Sequence, residues 1–184
     1  MPTEISGSTG VNKIQDGTIA QADFASGVGG LYSSIAIIVD SKSADTAGGT
    51  FTTGAWRTRD LNTEISDADG IVSIASNQFT LQAGTYTIKW SSSGYRVGRH
   101  SSKLRDITAG ADVGIATAEY APSNDDTSTR SFGSSVITIS SANVYEIQAQ
   151  CQSTYNTYGF GVGGGSYTGS TVEYYALVEI LKHT

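Results

Sequence analysis

Two histidines, one cysteine and a few carboxylates carry whatever reaction chemistry this 184-residue chain could do. A hydrolytic triad needs a histidine held by a carboxylate beside a nucleophile. His100 stands in a basic stretch and His183 is next to the last residue, neither beside a nucleophile motif. Cys151 is in phase with Tyr145, Ile147 and Ala149, with no basic neighbour to lower its pKa, so it reads as a small buried apolar side chain. Being the only cysteine, it leaves no intrachain disulfide framework. Ser66-Asp67-Ala68-Asp69-Gly70 has the alternating carboxylates and glycine of a calcium loop. Setting Gly70 at the loop glycine puts Ile65 at the first ligand and Ser76 where a closing glutamate belongs, so a turn explains the stretch more simply. Asp125-Asp126 reads as a loop tip.

Gly159 to Gly164 fits the spacing GxGxxG, but no helix-forming segment and no P-loop lysine accompany it. A surface loop, or glycines admitting close chain contact, is the plainer reading. Arg96, Arg99, His100, Lys103 and Arg105 gather positive charge in an otherwise acidic chain. They suit an acidic partner surface or an anionic glycan, or else form a solvated strand face. Trp56 suits a stacked sugar or, more simply, the core of a sandwich. No carboxylate pair, metal spacing or nucleophile survives, so the chain reads as non-enzymatic, with no cofactor, metal ligand or catalytic residue expected.

The elements that must position these residues are strands. Asn77 to Trp90 alternates with period two: Phe79 and Leu81, then a Gln82-Ala83-Gly84 turn, then Tyr86, Ile88 and Trp90, which predicts a hairpin. Val136–Ser140 and Val144–Cys151 predict a second hairpin, turned at Ser141-Ala142-Asn143. Leu31–Asp40, Gly70–Ser76, Gly94–Ile107 and Val113–Tyr120 read as further strands, the last two paired across Gly110. Val172–Leu181 is apolar on both faces, as befits a strand at a sandwich centre or a subunit interface. Eight to ten short strands with turns about every ten residues point to a sandwich or jelly roll. Ten tyrosines against one methionine, and 22 glycines to supply turns, favour the same all-β class.

Residues 1–34 differ from the rest. Val11, Ile14, Ile19 and Phe24 are isolated among small and polar residues, and Gly27 to Gly30 forms a joint. Such a segment cannot bury enough surface to fold alone, but its spaced apolar side chains suit an extended arm laid on another subunit. The expected organisation is an arm over 1–34 and a body over 35–184. A net charge of −6 argues against nucleic acid as the main partner. The run Ile35–Val39 is far too short to insert in a membrane, and the start Met1-Pro2-Thr3-Glu4 lacks the pattern of a signal peptide. Synthesis in a cytoplasm is therefore expected.

The runs GGTFTTGAWRTRDLNTEI (48–65), FTLQAGTYTIKWSSSGYRVGRHSSKLRDI (79–107) and TVEYYALVEILK (171–182) resemble a domain recurrent in phage virion proteins. That domain is similar to the trimeric jelly roll of the tumour necrosis factor and complement globular-head superfamily. VNKIQDGTIAQADFASG (11–27) resembles the connector segments upstream of such domains in phage fibres. The resemblance implies a two-sheet antiparallel jelly-roll sandwich, a homotrimer, a place on the virion exterior after synthesis in the host cytoplasm, and no catalytic residues. Two roles follow. A capsid decoration (cement) protein would grip the major capsid protein through Val11, Ile14, Ile19 and Phe24, with Tyr174, Tyr175 and Leu177 closing the trimer. A tail fibre tip would instead present loops to a host-surface glycan or receptor. The short chain, starting at Met1 without room for a shaft, favours decoration. A secreted lectin-like module fits the fold but not the missing signal peptide.

Overall fold

The computed structural model describes residues 30–184. Of these, Tyr32–His183 form one compact unit. Its strands, in chain order, are β1 (Tyr32–Ser43), β2 (Arg57–Thr58), β3 (Thr63–Asp67), β4 (Val72–Ala75), β5 (Gln78–Leu81), β6 (Gly84–Tyr95) and β7 (Gly98–Asp106). There follow β8 (Ala111–Ile115), β9 (Glu119–Ala121), β10 (Ser128–Ile139), β11 (Asn143–Cys151), one helical turn α1 (Gly165–Thr168) and β12 (Val172–His183). The boundary expected between residues 34 and 35 falls inside β1. Val11, Ile14, Ile19 and Phe24 lie outside the described residues.

Two antiparallel sheets face each other. One has five strands in the order β10-β6-β12-β1-β3. The other has seven, running β4-β5-β11-β7-β8, with β2 added on β11 and β9 on β7. This is the two-sheet jelly-roll sandwich expected of the sequence. β12 sits between β6 and β1, paired with both, as a strand apolar on both faces should.

The Asn77–Trp90 alternation points its apolar residues inward as expected, but the two strands are not a hairpin. β5 belongs to the seven-stranded sheet and β6 to the five-stranded one, so Gln82-Ala83 carries the chain across the sandwich. The same correction applies to β10 and β11, which Ser140–Ala142 joins across the interior rather than side by side. The true short hairpin is β4–β5. Its two-residue turn, Ser76-Asn77, has φ of 53° and 64°, the geometry that matches strand twist. β7 does pair with β8 and β9 after the Gly110 turn.

Between the sheets, Ile38, Tyr86, Ile88, Trp90, Val178 and Ile180 meet Phe79, Leu81, Leu104, Tyr145 and Ile147. Removing each such side chain from water contributes roughly 1.5–3 kcal/mol. A smaller cluster of Phe51, Val97, Ala121, Ala149 and Cys151 packs with Tyr155 and Phe160. The glycines of 159–165 make close chain contact here: a Cβ on Gly161 would lie 2.1 Å from the Tyr175 ring, and one on Gly159 2.5 Å from the Tyr155 carbonyl.

Candidate functional site

Alternation along β10 turns Ser131, Gly133, Ser135 and Ile137 toward the sandwich interior and Phe132, Ser134 and Val136 outward. Strand register then builds the outward side of the five-stranded sheet in rows. Phe132 lies beside Ser91, then Leu177, then Val39; Val136 lies beside Thr87, then Leu181, then Ile35. Between them runs Ser134, Lys89, Glu179, Ile37, with Lys89 Nζ 3.3 Å from a Glu179 carboxylate oxygen. Phe132 is 58% exposed, Val136 63% and Ile35 48%, while Val39 and Leu181 are buried among them. A shallow groove of about 480 Å³ lies along Phe132, Ser91 and Leu177. The exposed apolar side chains thus stand in two rows on either side of the Lys89–Glu179 pair.

The three interface residues expected on β12 are not placed alike. Leu177 pairs with Val39 and Tyr174 with Ser41, and the intervening bulge offsets the alternation. Tyr174 is exposed and Leu177 partly so, both on the outward side. Tyr175 instead is 4% exposed, its hydroxyl donating to the Thr46 carbonyl at 2.5 Å. Burial pushes its phenol up to about 12. The bulge therefore removes Tyr175 from the outward side.

On the other sheet the basic cluster is divided. Arg99, Ser101, Lys103 and Arg105 alternate outward along β7, whereas His100 turns in, 4% exposed, with a ring nitrogen 2.7 Å from Thr129 Oγ1. Lys103 and Arg105 both pair with Asp112, at 3.0 and 2.9 Å. Arg96 is tied to Asp126 at 3.0 Å, which anchors that loop tip. The outward face is thus neither a free basic surface nor a simply solvated one. Nor is Trp56 a core residue: it is half-buried on this face, with the Lys103 ammonium 4.3 Å from its ring centroid. The tryptophan of the core is Trp90, whose Nε1–H donates to Ser102 Oγ at 3.1 Å.

The remaining candidates are structural in placement. Both Asp67 carboxylate oxygens accept backbone N–H groups, from Ile71 at 2.8 Å and Val72 at 3.0 Å, closing the turn before β4. Among the described residues no group of three His, Cys, Asp or Glu could hold a metal ion. Contrary to expectation a helical turn, α1, does follow the GxGxxG stretch, but its amides are occupied. Gly164 N–H donates to Glu173 Oε1 at 2.8 Å and Ser166 N–H to Asp45 at 3.0 Å, so carboxylates of the chain already sit where a phosphate would. Cys151 is buried as expected, and burial pushes its thiol up to about 11. His183 reaches Thr87 Oγ1 at 2.8 Å.

One constellation gave no sequence signal. Arg59 is fully buried, 3.5 Å from Asp40 and with its guanidinium carbon 3.8 Å from the Phe160 ring centroid. Lys42 bridges Asp40 and Asp60 at 3.0 and 2.9 Å. Burial lowers Arg59 to about 10, so it stays charged at neutral pH, and burial raises Asp40 against the pull of Arg59 and Lys42. Asp40 at a strand end and Arg59 among polar residues look like surface residues, and only the fold buries them.

No protein-family model matches the chain, and no curated protein matches it. Solved structures do. The globular domain of zebrafish complement 1qA protein aligns over 80% of this chain and 95% of its own, with 15% identity and a TM-score of 0.50. Murine APRIL at pH 8.5 aligns over 81% and 98%, with 7% identity and a TM-score of 0.52. Eiger TNF from S. frugiperda aligns over 84% and 94%, with 8% identity and a TM-score of 0.51. The jelly roll of tumour necrosis factor and complement globular heads is the fold this chain shares.

Proposed function

We propose that this chain is a non-enzymatic structural protein of a phage virion, a homotrimeric capsid decoration protein on the outer surface of the head. The observation that carries the assembly is the outward side of the five-stranded sheet, where Ile35, Phe132 and Val136 stand exposed about the Lys89–Glu179 ion pair. Three copies meeting on that side cover the apolar rows at about 25 cal/mol per Å² of apolar surface removed from water. The virion setting rests on the sequence resemblance in 48–65, 79–107 and 171–182. Residues 1–34 then serve as arms to the major capsid protein. Each contributes little alone, but in a trimer the second and third arms bind at high effective concentration.

The test has two arms. Light scattering on the purified protein should give three times the chain mass, and the trimer should co-sediment with undecorated capsids. Deleting residues 1–30 should leave the trimer and abolish co-sedimentation. A monomer at micromolar concentration, or normal decoration by the truncated trimer, rejects this reading. Binding of the trimer to host cells, with block of phage adsorption, would establish the fibre-tip role in its place.

A further inference from the structure

The outward side of the seven-stranded sheet carries a second groove, of about 390 Å³, where β7 and β11 run beside Trp56. Trp56, Ile115, Ser101, Arg99, Gln150 and Gln152 wall it, and the buried His100 and Cys151 form part of its lining. Lys103 covers part of the indole but does not line the groove, so the groove meets the remaining indole surface. Arg99 is the charged side chain of the lining. Its backbone N–H and Nη1 both donate to Gln152 Oε1, at 3.1 and 3.2 Å, and its guanidinium carbon stands 6.0 Å from the Tyr120 ring centroid. Gly98, with φ of +69°, leaves the space that brings Gln152 against the start of the strand. Arg99 has no carboxylate partner among the described residues, unlike Lys103 and Arg105 beside it.

The arrangement combines three recognition elements in one concavity. An indole packs against the C–H face of a pyranose ring, which is apolar although the ring edge is not. Gln150, Ser101 and the free carboxamide nitrogen of Gln152 offer donors and acceptors for ring hydroxyls. A braced guanidinium takes a carboxylate through paired N–H donors, with little rotamer entropy left to lose. Phosphate-rich ligands fit poorly, because one arginine must act in a chain of net charge −6.

We propose that this groove binds an acidic sugar residue, with Trp56 as the packing surface and Arg99 as the carboxylate anchor. The site is contained in one chain and lies on the sheet opposite the apolar rows. Its occupancy therefore does not depend on the trimer or on the capsid. Glu119, the nearest acidic side chain on the paired strand β9, accepts from Thr117 Oγ1 at 2.7 Å and is engaged away from Arg99.

Isothermal titration calorimetry of the full-length protein with 3′-sialyllactose and with lactose tests this. The acidic sugar should bind saturably and at least about tenfold more tightly than lactose, the scale of one charge-assisted hydrogen bond. Arg99→Gln should erase that preference, bringing the affinity for 3′-sialyllactose down to that for lactose in the same variant. Trp56→Leu should remove both. Because Trp56 and Trp90 are the two tryptophans and Trp90 is buried, sialyllactose should also change the fluorescence of the wild type but not of Trp56→Leu. Phe132→Glu, on the other sheet, should keep the binding whatever it does to the mass, which separates this site from the assembly. No saturable heat with either sialyllactose or galacturonate oligomers, or an unaltered affinity in folded Arg99→Gln, overturns the proposal.

Discussion

Phe132 and Lys103 occupy like stations, each on the outward side of a long strand, and their exposures are inverted. The phenylalanine is 58% exposed, while the lysine side chain is only 8% exposed. Around Lys103, polar groups satisfy one another: Asp112 serves two cations, and Glu146 accepts from both Gln78 and Gln148. A large partner there would have to replace each of those bonds, so little is gained beyond a local ligand. Around Phe132 the charged side chains are few: Lys89 pairs with Glu179, and Arg130 donates to Ser91 Oγ and to the Tyr174 carbonyl, so covering the face removes mainly apolar surface from water. The two sheets therefore differ in what they leave unsatisfied: one carries exposed apolar rows, the surface proposed above for assembly, and the other a polar surface satisfied within itself, with a notch at Trp56.

The sharpest way to break that contrast is to put charge on the apolar rows. Phe132→Glu combined with Val136→Glu should convert a species of three chain masses into one, read by light scattering. Both side chains already lie in water within one chain, so the melting temperature of the separated subunit should barely move. Lys103→Met on the other sheet should leave the mass untouched. If the double variant stays associated, the subunits meet elsewhere and the comparison of faces fails.

The next effect lies where the two sheets share an end. Arg59→Ala should cost about 2–5 kcal/mol, because it leaves the buried Asp40 carboxylate to Lys42 alone and empties the space against the Phe160 ring. Denaturant unfolding should show it as a lower midpoint with an unchanged slope. Replacing both, Asp40→Leu with Arg59→Met, should recover most of the loss, since apolar groups of similar size need no hydrogen bonds there. A single variant as stable as wild type would mean that water reaches the pair.

Which residues face inward was legible in the sequence; which strands are neighbours was not. Phe79, Leu81, Tyr86, Ile88 and Trp90 all reach the core as their alternation requires. Alternation of period two is the same whether a turn folds the chain back within a sheet or carries it across a sandwich, because both place the apolar side on the same core. Only the turn residues distinguish the cases, and Ser76-Asn77 held that information unrecognised. Tyr175 illustrates a second limit. One extra residue at the β1–β12 bulge reverses sidedness, and no composition marks it. Phe132 went unread because Gly133 and two serines interrupt its strand, although Phe132 and Val136 are in phase across them. Residues whose meaning depends on distant partners, Asp40 and Arg59 above all, carry no local mark.

The smallest expected effects are in acid, and they sharpen the polar face. Lys103 and Arg105 hydrogen-bond Asp112 and hold its carboxyl below the ordinary value of 3.8. Its stabilisation is therefore complete above 3.8 and disappears as pH falls through the folded value. Asp112→Asn should cost at most about 1 kcal/mol at neutral pH, because the pair is part exposed, and the cost should shrink with salt. His100 acts in a higher window. Burial lowers it below 6.5, with Glu119 pulling the other way and Arg59 adding to the decrease. The unfolded chain thus takes up the proton first, and stability falls as pH drops from 6.5 toward the folded value. Melting curves from pH 7.5 to 5 should show this decline in the wild type and a flatter profile in His100→Gln, with Asp112→Asn parallel to wild type over that range. Identical profiles for the wild type and the histidine variant would mean that the ring beneath the Trp56 groove is hydrated and free to charge.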